Sequence, residues 1–244
     1  MDSSSLFEIW KVRANHYRGV YAWDKFYERF FNGVDLVGKE ILDIGGGVGL
    51  ASTYAIVKGA KNAVLLEPES DGSSAHMLDR ANALAQDLGC ESRIVALNST
   101  FQDFVSRSRM FDIIVMEASI NHLNENAVQR LNFDPDAENE YLLLIAKMCE
   151  MLRPSGVVII SDCGRRNFFG DFGLRNPFTP TIEWQKHQQP STWANLFSKM
   201  NFDRLSLKWG VHTSLGNLGR FLLGNRVVFY FISSYFILTL KRSN

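Results

Sequence analysis

Two acids and a run of glycines make the densest group of chemically able residues in this chain. The stretch ILDIGGGVGLAS, from Ile41 to Ser52, sets Gly45, Gly46, Gly47 and Gly49 behind Asp43. A run so poor in side chains does not pack a core; it lets a backbone come close to a ligand. The apolar run AVLLE ends in Glu67, 24 residues after Asp43. An acid at a strand end beside such a loop is suited to accept the two hydroxyls of a ribose. The remaining candidates are the five histidines, His16, His76, His122, His187 and His212. Histidine is the side chain that exchanges a proton near neutral pH.

The spacing of the glycines discriminates between ligands. A dinucleotide loop needs G-x-G-x-x-G, whose third glycine seats the following helix against the strand. Counted from Gly45 and Gly47 that place is held by Leu50, and counted from Gly47 and Gly49 by Ser52. The pattern is instead Asp43-x-Gly45-x-Gly47-x-Gly49. An acid before the turn repels a pyrophosphate and attracts an ammonium group. That favours S-adenosylmethionine over NAD.

The elements that must hold these residues alternate. Apolar and aromatic residues at helical spacing between Leu6 and Phe31 predict one or two helices. EILDI, AVLLE, RIVAL, FDIIVM and GVVIISD read as buried strands. Helices are predicted over LASTYAIVKGA, over SSAHMLDRANALAQDLG with a serine start and a glycine stop, and over one long stretch from Asn126 to Leu152. Pro154-Ser155-Gly156 marks the turn before the fifth strand. This order predicts a parallel sheet with helices on both faces. Residues 164–190, rich in glycine, proline and aromatics, read as a long loop suited to capping a substrate. STWANLFSKMNF then reads as a helix, and RLSLKWGV and YFILTL as strands. LGNLGRFLLGNRVVFYF between them reads as short, bent helices that either roof an acceptor or pack in the core against the sheet edge.

On these residues the chain resembles the class I S-adenosylmethionine-dependent methyltransferases. LDIGGGVG is similar to their first motif, LLEPES to their second, NSTFQDF to their adenine loop and FDIIVMEASINHL to the segment around strand four. The likeness covers roughly residues 38–163. It implies an α/β, Rossmann-like, doubly wound sheet of seven strands with the last antiparallel, plus a helical and loop cap. One domain is expected over residues 1–244, with N-terminal helices over 1–37, the cofactor core over 38–163, an acceptor cap with an intervening strand over 164–226, and a C-terminal segment over 227–244. By position, Gly45, Gly46 and Gly47 would line the methionine and ribose, Glu67 would hold the ribose hydroxyls, and Phe101 and Gln102 would meet the adenine. Glu117 and Ala118 would lie beside the amino-acid end, where Asp43 also stands. RNPFTPTIEWQKHQQP resembles loops of small-molecule members. The implied activity is methyl transfer to a small molecule, with a hydroxyl ahead of an amine or carbon acceptor. A protein side chain as acceptor, and a non-catalytic partner subunit, are the alternatives.

A hydroxyl acceptor calls for a general base with a pKa near 7. His187 is the first candidate, placed between Trp184 and Trp193 in the expected cap; His122 and Asp162 are the others. Catechol-type relatives hold a metal through acids after strands four and five, followed by an asparagine. Here Glu117 and Asp162 take those places but Cys163 replaces the asparagine, so no metal is expected. MEAS after strand four, where adenine-modifying enzymes carry Pro-Pro-aromatic, argues against nucleic acid. So does the balance of 26 basic and 26 acidic residues without a long basic run. Three scattered cysteines imply no disulfide framework, and with no signal-like N-terminus a cytoplasmic setting is expected. The most apolar segment, VVFYFISSYFILTL over 227–240, is shorter than the roughly 20 residues of a membrane span. It reads as buried protein, with membrane-surface contact left open, as is the oligomeric state.

Overall fold

The structure is a computed structural model that describes residues 3–18, 23–69, 75–210, 224–232 and 234–243. Its strands are β1 (Glu40–Ile44), β2 (Asn62–Leu66), β3 (Ile94–Leu97), β4 (Phe111–Glu117), β5 (Leu152–Cys163), β6 (Phe202–Trp209) and β7 (Tyr235–Arg242). They form one seven-stranded sheet in the order β3-β2-β1-β4-β5-β7-β6. β1 runs parallel to β2 and β4, β2 runs parallel to β3, and β7 is antiparallel to β6. This is the expected doubly wound sheet with its last strand reversed. The order turns back between β1 and β4, and in such sheets ligands bind outside the carboxyl ends of the strands at that point.

The chain divides into two compact units, Met1–Ser119 with Met151–Ile159, and Ile120–Glu150 with Ile160–Asn244. In the first, β1 is buried at all five positions, which is why EILDI carries no alternation. α3 (Leu50–Val57) is buried at every residue, as its all-round apolar sequence requires. α1 (Ser3–Arg18) and α2 (Trp23–Phe30) supply the two N-terminal helices. They meet α3 through Tyr54, whose ring centroid lies 6.1 Å from Phe7, 5.1 Å from Trp10, 5.5 Å from Tyr27 and 5.6 Å from Phe31. The Trp10 indole N–H donates to Thr53 Oγ1 at 3.3 Å. α4 (Met77–Asp87) starts after His76, which is left-handed at φ 61° and gives no side-chain cap. The predicted serine start, Ser73 and Ser74, lies outside the described residues.

In the second unit the single helix expected from Asn126 to Leu152 is two, α5 (Glu125–Arg130) and α6 (Pro135–Met151). Pro135 breaks it: proline disfavours helical backbone in the residue before it and itself suits a first helical turn. Asn124 caps α5, its side chain accepting from Ala127 N at 3.0 Å. α7 (Phe168–Asp171) is a short helix inside the loop region. α8 (Pro190–Ser198) carries Trp193, which is fully buried 5.3 Å from the Tyr141 ring. Trp193 is therefore core rather than cap. The apolar tail also splits. Phe236–Leu240 on β7 are buried as expected, whereas Val227 and Phe231, on and just after α9 (Arg226–Tyr230), are exposed. Of the bent helices predicted over 215–231, residues 215–223 fall outside the described residues, and the remainder holds the short helix α9. Among the described residues no helix is long and apolar enough to cross a membrane.

Tyr54 is 3 % exposed, so Tyr54→Ala should lower the unfolding free energy by about 3–5 kcal/mol, the range for losing a large buried ring. Urea denaturation checks this. Val95→Ala, at a position 46 % exposed, should cost less than about 1 kcal/mol.

Candidate active site

The glycine loop leaves the carboxyl end of β1 in backbone that side chains rarely adopt. Gly45 has φ 67°, and a Cβ there would lie 2.5 Å from Ser119 Cβ. Gly47 has φ 54° but faces open space, with no atom within 4 Å of a built Cβ. Gly45 is thus demanded by its neighbour, while Gly47 borders a space that a ligand can enter. Gly45 N and Gly46 N both donate to Leu66 O, at 2.8 and 3.1 Å, which ties the loop to the end of β2.

Three carboxylates gather around this loop. Asp43 is 1 % exposed, and its Oδ2 accepts from Ser52 Oγ at 2.7 Å. Its Oδ1 is buried with no partner among the described residues. Burial pushes the Asp43 carboxyl up to about 7, and the charges of Glu117 and Glu67 push the same way. Glu67 Oε2 accepts from Gly47 N at 2.9 Å, and burial raises its pKa too. Glu117 Oε2 accepts from the Tyr27 hydroxyl at 2.7 Å. Immediately after Glu117, Ala118 is left-handed at φ 52°, and Ser119 Oγ donates to Ile44 O at 2.5 Å. An unpartnered buried carboxylate oxygen, two neighbouring acids that raise the cost of ionising it, and an open glycine suit a ligand with a cationic amino-acid end and a ribose. A pyrophosphate would add more charge of the same sign. Phe101 and Gln102 lie in the turn after β3, Phe101 buried and Gln102 exposed.

The second unit holds a different arrangement. His187 Nδ1 lies 2.9 Å from Asp162 Oδ1. Asp162 is buried at the end of β5, where its Oδ1 also accepts from Cys163 N at 2.7 Å and its Oδ2 has no partner among the described residues. The His187 side chain is 13 % exposed. In the tautomer that places a proton on Nδ1 toward the carboxylate, Nε2 is a proton acceptor. The Trp184 ring is 6.4 Å from the His187 ring. Trp184 also lines an open cleft of about 460 Å³ with Arg165, Arg166, Asp171, Leu174 and Ile182. Gly170 lets the indole approach, since a Cβ there would stand 3.0 Å from it.

The other candidates are engaged differently. His122 Nδ1 meets Glu125 Oε1 at 2.6 Å, and Lys186 Nζ holds the other oxygen of Glu125 at 2.8 Å. This trio at the start of α5, in which the His122 side chain is more than half exposed, shapes a surface turn. His76 pairs with Asp79 at 3.4 Å, His16 is exposed, and His212 lies outside the described residues. The Cys163 thiol is pushed up by burial and by the Asp162 charge, which makes it a poor nucleophile.

A family model described as a methyltransferase domain matches residues 14–207. The chain belongs to that family. No curated protein matches the sequence of this methyltransferase. Its fold is shared with solved structures at low identity. A protein from Listeria monocytogenes assigned as an S-adenosylmethionine-dependent methyltransferase is 13 % identical with a TM-score of 0.62, over 91 % of this chain and 98 % of that one. The StiE O-MT is 14 % identical with a TM-score of 0.57, over 95 % and 77 %. The N-methyltransferase NodS from Bradyrhizobium japonicum is 12 % identical with a TM-score of 0.55, over 95 % and 96 %.

Three residues of the candidate site go unread in the sequence. Ser52 counts there only as a failed third glycine, yet it is the donor that orients Asp43. Ser119 fills the space that Gly45 leaves, and Tyr27 reaches Glu117 across 90 positions. No local signal marks the last two. Asp43 yields a pH prediction. Its folded pKa, about 7, lies above the unfolded value of 3.8, so its contribution to stability is full below the unfolded pKa and is lost as pH rises through about 7. The melting temperature of the ligand-free protein should fall by several degrees between pH 5.5 and 8.5 relative to Asp43→Asn. Parallel melting curves for the two proteins would contradict this.

Proposed function

We propose that the protein transfers a methyl group from S-adenosylmethionine to a hydroxyl of a small-molecule acceptor, with His187 as general base. The His187–Asp162 pair, 2.9 Å apart, is the observation that carries this reading. S-adenosylmethionine is the cofactor, and when bound it supplies a methyl group already activated by its sulfonium. Asp43 Oδ1 is the natural partner for its ammonium group, with Glu117 held close by Tyr27 to add negative charge. Glu67 keeps the glycine loop in place through Gly47 N and accepts the ribose hydroxyls. Phe101 and Gln102 border the adenine.

His187 Nε2 takes the proton of the acceptor hydroxyl as the oxygen attacks. Asp162 fixes the tautomer and stabilises the imidazolium that forms. A general base of this kind contributes roughly 10²–10⁴ in rate. The cleft beside Trp184, about 460 Å³, has the size of a small-molecule site, which runs from about 300 to 1,000 Å³. Fold neighbours bearing O- and N-methyltransferase names support methyl transfer to oxygen or nitrogen as the reaction.

Calorimetry should show S-adenosylhomocysteine binding near micromolar affinity, about −8 kcal/mol, and no heat with NAD. If the ionised Asp43 is the binding form, that affinity drops about tenfold per pH unit below 7. Glu67→Ala should weaken it at least tenfold, through a lost charge-assisted bond worth about 1.5–3 kcal/mol. NAD binding without S-adenosylhomocysteine binding would reject the cofactor assignment. Once a screen of phenols, sugars and hydroxylated lipids yields an acceptor, His187→Ala should cut turnover by about 10² or more. Asp162→Asn should lower it through the wrong tautomer, and cofactor affinity should stay unchanged in both. Full turnover by His187→Ala from pH 6 to 9 would leave the histidine a packing role only.

A further inference from the structure

Among the described residues, three of the four exposed phenylalanines stand together in the second unit. Phe172 is 67 % exposed, Phe178 61 % and Phe231 51 %, with Leu174 and Val227 also exposed in the same segments. The Phe168 ring joins them, 5.0 Å from Phe172 and 5.3 Å from Phe231, and Phe169 lies 6.3 Å from Phe178. These rings are mounted on a built scaffold. Buried Asn167 donates from Nδ2 to Tyr230 O and Ile232 O at 2.9 and 3.1 Å, and buried Asn176 donates to Ile232 O at 2.6 Å. Two amides thus lock the 167–178 segment to the end of α9 and hold the phenylalanines out in water. Clustered exposed apolar surface of this kind marks an interaction site.

The charge around the rings has one dominant sign. Arg165, Arg166, Arg175 and Arg226 flank them in sequence, against Asp171 and Glu183. Asp171 is committed to Arg166, at 2.9 Å, and to the Tyr230 hydroxyl, at 3.0 Å. Glu183 pairs with Lys186. Arg175 and Arg226 are exposed and have no carboxylate partner among the described residues. From Arg204 to Asn244 the sequence holds Arg204, Lys208, Arg220, Arg226, Lys241 and Arg242 and not one acid, although the whole chain balances 26 against 26. The last stretch of chain therefore offers Arg226 no carboxylate.

We propose that this face docks on the surface of an anionic lipid bilayer. Phenylalanine rings suit the boundary between headgroups and acyl chains, while guanidinium groups bind lipid phosphates through paired N–H donors. Each basic residue near an anionic membrane adds attraction that salt weakens. Neither half suffices alone: the rings give adhesion without a preference for charge, and the arginines give attraction without insertion. The face adjoins a cavity, since Arg166 and Leu174 also line the 460 Å³ cleft.

The test is flotation of the full chain with vesicles of phosphatidylcholine alone and of phosphatidylcholine mixed with phosphatidylglycerol. The expected result is co-flotation with the mixed vesicles only, reduced by high salt. A variant combining Phe172→Ser, Phe178→Ser and Phe231→Ser should lose binding at least tenfold, and so should Arg175→Gln with Arg226→Gln. Circular dichroism and melting temperature should be unchanged in both, because the altered side chains are exposed. Absence of binding to the mixed vesicles, or binding that survives the phenylalanine variant, overturns the proposal. So does sedimentation velocity without lipid that shows the wild type dimeric and the phenylalanine variant monomeric, which assigns the face to a second copy of the chain.

Discussion

A carboxylate buried at the end of a central parallel strand is the constraint around which the first unit is arranged. Asp43 is all but inaccessible and is paired through only one oxygen. An ionised group so placed is costly unless charge or hydrogen bonds compensate it, and its raised pKa expresses that cost. The surrounding residues make sense as partial compensation. Ser52 comes from the first turn of α3 because the glycine loop curls back tightly enough to bring that turn over β1, and the loop can do so because Gly45 yields its side-chain space to Ser119. Glu67 and Glu117 then add to the Asp43 problem instead of relieving it. Stability alone would not select three acids at one loop. A cationic ligand accounts for them, and the family to which the chain belongs uses one.

The second unit solves a similar problem in the opposite way. Asp162, at the end of β5, is also buried with one oxygen unpartnered, but its other oxygen is met by a histidine within the same unit. A histidine so held keeps one nitrogen fixed and the other available, which suits proton transfer better than packing does. Trp184 does not compete for the Asp162 carboxylate; it closes in on Gly170 and lines the cleft. The division is chemically sensible. An acid with one oxygen left over beside two other acids suits a cationic group, and an acid with a histidine partner suits proton transfer.

What could be read in advance follows from the range of the interactions. The strands, the glycine loop and Glu67 were legible because each is encoded within a few residues, as apolar runs, backbone freedom and a strand-end acid. Pro135 was equally local, and the break between α5 and α6 is there in the sequence for a reading that weighs proline above helical periodicity. The long-range partners were not legible. Nothing near Tyr27 points to Glu117, and His187 and Asp162 read as rivals because pairing them requires knowing that the loop before α8 returns to the end of β5. Trp193 misleads for the same reason: an aromatic near a histidine in sequence packs instead against Tyr141.

The apolar tail shows how one composition can serve two physical ends. VVFYFISSYFILTL is a single hydrophobic run, yet Phe236–Leu240 vanish into the sheet while Val227 and Phe231 face water. The sheet explains the first half of this: β7 lies between β5 and β6, so its backbone is paired on both edges and its apolar side chains are covered. The exposed half has no such cover among the described residues, and the Asn167 and Asn176 amides that anchor it prevent the collapse that would hide it. Had burial been the only pressure on Phe231, a serine or lysine there would be cheaper in water and would leave the asparagine clamp intact, since that clamp reaches the end of α9 through the main-chain carbonyls of Tyr230 and Ile232. Aromatic rings held out by backbone hydrogen bonds, beside arginines without acids, are therefore better understood as a surface kept for contact than as a core left unfinished.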